Sequence, residues 1–209
     1  MKNNNVDFIL LAGGRSSRMG SAKGLLNYQG SFWILEQLKR ISKSKINCVY
    51  IGLGHNAHHY FDAIPWLELA KDDFVNYLSL KVRVIINPDP ELGSFATLHS
   101  VINAVESDSD LFISPIDVPV LNTDELNKLV ETKNTVVFPY IQKRSGHPIK
   151  LTATFWQSLL ALDLTDKDAR LDFQVKKIAH TNISRVPVMD PVVLKNINTP
   201  VEWQAYTTE

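Results

Sequence analysis

The sequence predicts an α/β domain built on a mostly parallel sheet. Short β-rich apolar runs recur along the chain, helical patterns fall between them, and several runs lack the alternation of a strand with one wet face. The 209 residues suffice for one domain with a sizeable core. With 44% hydrophobic and 21% charged residues, the composition is ordinarily globular.

The first strand is expected at Phe8–Leu11. It follows a polar start, Met1–Asp7, that lacks the basic and apolar regions of a secretion signal. A helix is expected over Ser31–Ile41 and a second strand over Cys48–Ile51. A Pro-bounded, helix-like stretch from His55 to Leu80 then reads as an excursion before the third strand, Val82–Ile86. Further strands are expected at Leu111–Ser114, Thr135–Phe138 and Ser184–Val188, with helices at Ala96–Val105, Thr123–Glu131, Thr154–Leu160 and Ala169–Ile178. Asn122 caps the helix Thr123–Glu131, with Glu125 reaching back in a capping box. No repeat or low-complexity linker divides the chain, so residues 1–209 read as one domain.

Lys plus Arg equals Asp plus Glu at 22 each. That balance argues against a nonspecific nucleic-acid binder, which needs a basic excess. No apolar segment has the length to span a bilayer. A lone cysteine, Cys48, sits in an apolar run and reads as a small core residue, which fits a reducing cytoplasm. A monomer or small homo-oligomer is expected.

The most informative segment is Leu11-Ala12-Gly13-Gly14-Arg15-Ser16-Ser17-Arg18-Met19-Gly20-Ser21-Ala22-Lys23. It follows the first strand and so lies at the sheet's C-terminal edge, where open α/β sheets place ligands. Gly13 and Gly14 let the backbone turn and approach a ligand closely. Successive loop N–H groups form an anion-binding concavity, to which Arg18 and Lys23 add fixed charge. The spacing fits neither G-x-x-x-x-G-K-[ST] nor G-x-G-x-x-G.

Asn87, in Asn87-Pro88 after the third strand, offers an amide donor and an acceptor to a base edge, although such an Asn is more often a turn residue. Asp117 ends an apolar strand on the same side as the Gly13 loop. There it is either a cap or a hard oxygen ligand of the kind Mg²⁺ takes. His147, in Ser145-Gly146-His147-Pro148, is either structural or a phosphate contact. Thr199, Pro200 and Glu202 are explained by capping, which leaves Asn198 free to face a site. His55 and His59 have the i,i+4 spacing of a helix-borne metal pair, but a solvated polar stretch accounts for them better. Met19, Trp33, Trp156 and Trp203 read as packing residues.

The N-terminal string resembles the signature of the MobA-like nucleotidyltransferases, L-A-[AG]-G-x-S-x-R-M-G-x-x-K, and meets every defined position. Asn87-Pro88 with Gly93-Ser94, the Asp117 segment, Gly146-His147-Pro148 and Asn196-Ile197-Asn198-Thr199-Pro200 resemble the later motifs of that family. Phe95 stands where relatives often carry small residues, and Asp168 replaces a Gly of the cytidylyltransferase G-A-R segment ahead of Arg170.

The resemblance implies a Rossmann-like three-layer α/β/α sandwich with a mixed, mostly parallel sheet, like that of the nucleotide-diphospho-sugar transferases. It further implies transfer of an NMP from an NTP to a small phosphorylated acceptor, with pyrophosphate released. Leu11, Ala12, Gly13, Gly14, Ser16, Lys23, Asn87, Gly93 and Ser94 would then bind the nucleotide, with Arg18, Lys23 and Asp117 catalytic. Asp117 and Asn198 would hold Mg²⁺, and Gly146 and His147 would face the acceptor. GTP is favoured over CTP and molybdopterin over a sugar phosphate. A nucleotide-binding regulatory module remains the alternative outside catalysis, and a redox dinucleotide domain is disfavoured by the glycine spacing.

Overall fold

In a computed structural model, which describes residues 5–208, the chain folds around one nine-stranded sheet. Most of the polar lead-in before the first strand lies outside the described residues. The strands are β1 (Val6–Leu11), the short hairpin β2 (Asn27–Tyr28) and β3 (Ser31–Phe32), β4 (Cys48–Leu53), β5 (Val75–Tyr77), β6 (Leu80–Ile86), β7 (Asp110–Pro115), β8 (Val136–Ile141), β9 (Arg144–Ser145), β10 (Ile149–Leu151) and β11 (Ile183–Pro187). The helices are α1 (Trp33–Ile41), α2 (Ala57–Ala63), α3 (Trp66–Leu69), α4 (Ser94–Asn103), α5 (Thr123–Glu131), α6 (Ala153–Ser158), α7 (Leu171–Lys176) and α8 (Pro200–Thr208).

The sheet order is β11-β8-β10-β7-β1-β4-β6-β5, with β9 paired to β8. Parallel pairing joins β6, β4, β1 and β7, and joins β8 to β11. Only the short strands β5, β9 and β10 run against the rest. The mostly parallel, mixed sheet expected from the sequence is therefore present.

Successive side chains of a strand enter opposite layers. Phe8 and Leu10 pack beneath α1 and α5 with Ile34, Leu38 and Leu126, whereas Ile9 packs on the other face with Leu98, Val101 and Trp156 of α4 and α6. Both faces are covered, which is why the parallel strands read as unbroken apolar runs.

The structure amends several expectations. Ser31–Phe32 belongs to a hairpin, so the helix begins only at Trp33. The helix expected over Ala169–Ile178 spans only Leu171–Lys176. Cys48 is half-buried at the start of β4, and desolvation pushes its thiol up to about 12. Asn122 caps α5 by accepting the Glu125 N–H at 3.1 Å. From Asn122, however, Glu125 accepts only the side-chain amide, at 3.3 Å, and not the backbone N–H. It accepts the Met189 and Asp190 N–H groups, while Asp190 takes the Asn122 N–H at 3.0 Å. What reads as a local box thus ties α5 to the segment after β11.

The stretch from His55 to Leu80 carries α2 and α3 and then an edge strand, β5, antiparallel to β6. His55 itself precedes α2, and only His58 and His59 lie on it, both exposed. The helix-borne pair is therefore not formed.

Candidate active site

The loops after β6, β4, β1 and β7 lie side by side at the C-terminal edge of the sheet and enclose a cleft of about 480 Å³. Leu11, Ala12, Gly13, Gly14, Ser16, Arg18, Lys23, Gly93, Ser94, Asp117 and Asn198, all singled out from the sequence, line it.

The two loop glycines differ in what they require. A Cβ on Gly13 would meet Thr97 Oγ1 at 2.9 Å and the Gly54 nitrogen at 3.1 Å, so this glycine lets α4 and the β4 loop close on β1. A Cβ on Gly14 would meet nothing within 4 Å, leaving backbone open to the cleft. Beyond it Ser16 takes a positive φ of 51°, and its hydroxyl accepts the Lys23 N–H at 3.3 Å. The loop therefore curls back so that both ends of the motif border one space.

Lys23 begins a short 3-10 turn, and its ammonium donates to Asp117 Oδ2 and to Asn198 Oδ1, each at 2.8 Å. These partners lie 94 and 175 residues away in the chain. Each is held from behind. The buried Trp33 indole donates to the Ile116 carbonyl at 2.7 Å, and Gln37 of the same helix accepts the Val120 N–H at 2.7 Å. The Asp117 carbonyl accepts the Ile197 N–H at 2.8 Å, which ties the Asn198 loop to the Asp117 loop. Asn198 gives its amide hydrogens to Asn196, so its oxygen faces Lys23. The Glu202 carboxylate accepts the Asn198 and Thr199 N–H groups, and Thr199 Oγ1 accepts the Glu202 N–H, completing the expected capping box. Those hydrogen bonds hold the Glu202 carboxyl below its usual range, with a smaller contribution from Arg18.

One oxygen of Asp117, Oδ1, is buried with no hydrogen-bond partner. A buried carboxylate oxygen costs free energy unless something pairs with it. With Asn198 Oδ1 nearby, it forms a hard-oxygen donor set of the kind Mg²⁺ takes together with substrate phosphates and waters. Among the described residues no three His, Cys, Asp or Glu side chains form a metal cage.

Three further cleft residues form a group that the sequence alone does not bring together. Arg15 pairs with Glu91 and donates from Nε to His55 Nε2 at 3.3 Å, and His55 Nδ1 lies 3.9 Å from Glu91 Oε1. Arg15 lies inside the motif, Glu91 in the segment ahead of Gly93, and His55 suggests only a metal pair with His59; nothing local shows that the three meet, since they arrive from three different strands. Three basic side chains, Arg15, Arg18 and Lys23, thus line the cleft with two acidic ones, Glu91 and Asp117, in a chain of zero formal net charge.

Two expectations place differently. Asn87 is buried and does not line the cleft. Its amide donates to Thr97 Oγ1 at 3.1 Å, and its oxygen accepts the Asp89 N–H at 2.9 Å, so it has no free edge for a base. Gly146 lines neither this cleft nor the second one described below. A Cβ there would lie 2.1 Å from the Val193 carbonyl, so the glycine is needed for a backbone contact.

His147 does line a second cleft, of about 590 Å³, between β8, β10, α4 and α7. Its walls include Phe95, Leu98, Phe138 and Val175, with Arg170 and Arg185 among its charged residues. Burial lowers the His147 pKa, partly offset by Asp117, so the ring senses the first cleft while bordering the second. The two clefts share Leu11, Ser94 and Pro115.

Residues 8–180 match the model of the MobA-like NTP transferase domain. The chain belongs to that family. A molybdenum cofactor guanylyltransferase of Xanthomonas euvesicatoria pv. vesicatoria (strain 85-10) is 24% identical over 195 residues, or 93% of this chain and 90% of that protein. A nucleotidyl transferase from Methanothermobacter thermautotroptrophicus superposes with a TM-score of 0.74 at 19% identity, covering 99% of this chain and 97% of that one. A Mycobacterium tuberculosis protein in complex with manganese gives 0.69 at 15%, covering 98% and 99%. The family and the fold make this MobA-like chain a nucleotidyltransferase. Among its described residues no helix is long and apolar enough to cross a membrane.

Proposed function

We propose that this MobA-like protein transfers GMP from GTP to a small phosphorylated acceptor, molybdopterin, in a Mg²⁺-dependent reaction that releases pyrophosphate. The Lys23–Asp117–Asn198 cluster beside the open Gly14 backbone carries the reading, because it places a cation, a half-satisfied carboxylate and an anion-binding loop around one cleft. The guanylyl group and the acceptor rest on the Xanthomonas relative.

In this reading an acceptor phosphate oxygen attacks the α-phosphorus in line. The bond from that phosphorus to the bridging oxygen breaks, and pyrophosphate departs with the electron pair. A phosphate monoester is already nucleophilic, so the chain supplies position and charge rather than a general base. The loop N–H groups around Gly14 orient the triphosphate, while Lys23 and Arg18 offset charge that grows on the leaving group. Asp117 and Asn198 would hold Mg²⁺, which supplies further charge neutralisation on the phosphates when bound. His147 faces the acceptor side.

Pyrophosphate release measured with Mg²⁺ and each NTP in turn, with and without molybdopterin, tests this. Release that needs both GTP and the acceptor is expected. Release with GTP on another phosphorylated acceptor alone would retain the transferase and discard molybdopterin.

A further inference from the structure

The cleft has two chemically distinct ends. The loops bordering it follow β6, β4, β1 and β7, which are consecutive in the sheet. Asp117, after β7, marks one end with Lys23 and Asn198, and Glu91, after β6, marks the other. Three strand spacings of about 4.8 Å separate those strands, the scale of an extended nucleoside triphosphate. If the phosphates lie at the Asp117 end, the base reaches Glu91.

We infer that Glu91 reads the Watson–Crick edge of that base and selects guanine. This rests on the reading of the cleft as an NTP site. Apart from Asp117, Glu91 is the one carboxylate among the described residues lining the cleft. A carboxylate accepts two side-by-side N–H bonds. Guanine presents such a pair, its ring N1–H beside the 2-amino group. Adenine and cytosine each place a ring-nitrogen acceptor beside their amino group, which would face a carboxylate oxygen with like partial charge. Uracil offers a single N–H between two carbonyls.

The loop fixes where Glu91 stands. Pro90 starts a 3-10 turn, closed by bonds from the Leu92 N–H to the Asp89 carbonyl at 3.0 Å and from the Gly93 N–H to the Pro90 carbonyl at 3.2 Å. Asn87 holds that turn from below through the Asp89 N–H, which makes it a positioning residue rather than a base contact. Arg15 grips Glu91 Oε2, but a carboxylate has about four lone-pair sites, so the grip orients the group and leaves acceptor capacity for a base. The planar guanidinium also offers a face on which a base can stack.

The test is titration calorimetry of the 209-residue chain with GTP and with inosine triphosphate, which lacks only the 2-amino group. The wild type is expected to bind GTP about tenfold or more tightly, the scale of one hydrogen bond to a charged group. In Glu91→Gln and Glu91→Ala the GTP-to-ITP ratio should fall to near one. A merely structural role for Glu91 would weaken both ligands together and preserve the ratio. An unchanged ratio in either variant, or a wild type that prefers CTP to GTP, would overturn the assignment and leave the nucleotide cleft standing. A wild type that binds no NTP at all would remove the cleft reading itself.

Discussion

The Tyr60 hydroxyl accepts the Gly24 N–H at 3.2 Å, so a residue of α2 sets the backbone directly after Lys23. Tyr60 is almost wholly buried, and a Cβ on Gly24 would fall 2.7 Å from its ring. The stretch between β4 and β6 is therefore a buttress for the turn that carries the cleft's central cation. Tyr60→Phe should lose about 1 kcal/mol of stability, since the Gly24 N–H is left without its partner. Gly24→Ala should lose about 1–3 kcal/mol through overpacking. Thermal melts read both, and wild-type melting of Gly24→Ala would show that the contact relaxes freely.

Lys23→Ala and Asp117→Ala should each slow pyrophosphate release about 100- to 1,000-fold, the usual cost of removing one group that stabilises developing charge. Circular dichroism should show both variants folded. Near-normal turnover in either would mean that the 2.8 Å Lys23–Asp117 contact is only an ion pair.

The His147 imidazole should make stability depend on pH. Burial lowers its native pKa beneath the ordinary value of 6.5, against a smaller opposing pull from Asp117. Between the native and unfolded values the unfolded chain binds more protons, so stability rises with pH across that window. Acidification from pH 7 through 6.5 and below should therefore cost the wild type more melting temperature than His147→Gln, compared in metal-free buffer. Equal losses in the two proteins would exclude this source.

Lys150 supplies a control at the opposite edge of the sheet. Its side chain is 1% exposed, and its ammonium donates to the Val130 carbonyl at 3.1 Å and the Thr132 carbonyl at 2.6 Å, with Asp110 at 3.5 Å. Burial lowers its pKa, and Asp110 opposes that shift. Lys150→Met should strand the carbonyls at the end of α5 and cost about 1–3 kcal/mol. Nucleotide binding by the folded fraction should be retained, and its loss would tie the two edges together.

Long elements with a strong pattern were legible in the sequence. Thr123–Glu131 matches α5 to the residue, and all six expected strands lie where β1, β4, β6, β7, β8 and β11 do, within three residues at each end. β10 contributes only Ile149–Leu151, too few residues for a period to show, and its antiparallel insertion between β7 and β8 is a tertiary choice. The cleft's glycine-loop residues, Leu11 to Lys23, were legible because they are contiguous in the chain. The Arg15–His55–Glu91 group was not, since three strands bring it together. Asn87 misled for a related reason: a side chain able to read a base serves equally well to brace a turn, and only its burial decides.

The second cleft meets the first only at Leu11, Ser94 and Pro115. Four of its wall residues, Phe138, His147, Val175 and Arg185, lie outside the first cleft and take no part in the hydrogen bonds around Lys23. Substitutions at those four positions can accumulate over generations without touching the hydrogen bonds that orient Lys23 toward Asp117 and Asn198. A lineage built on this scaffold is thus free to reshape the second cleft while inheriting the first intact.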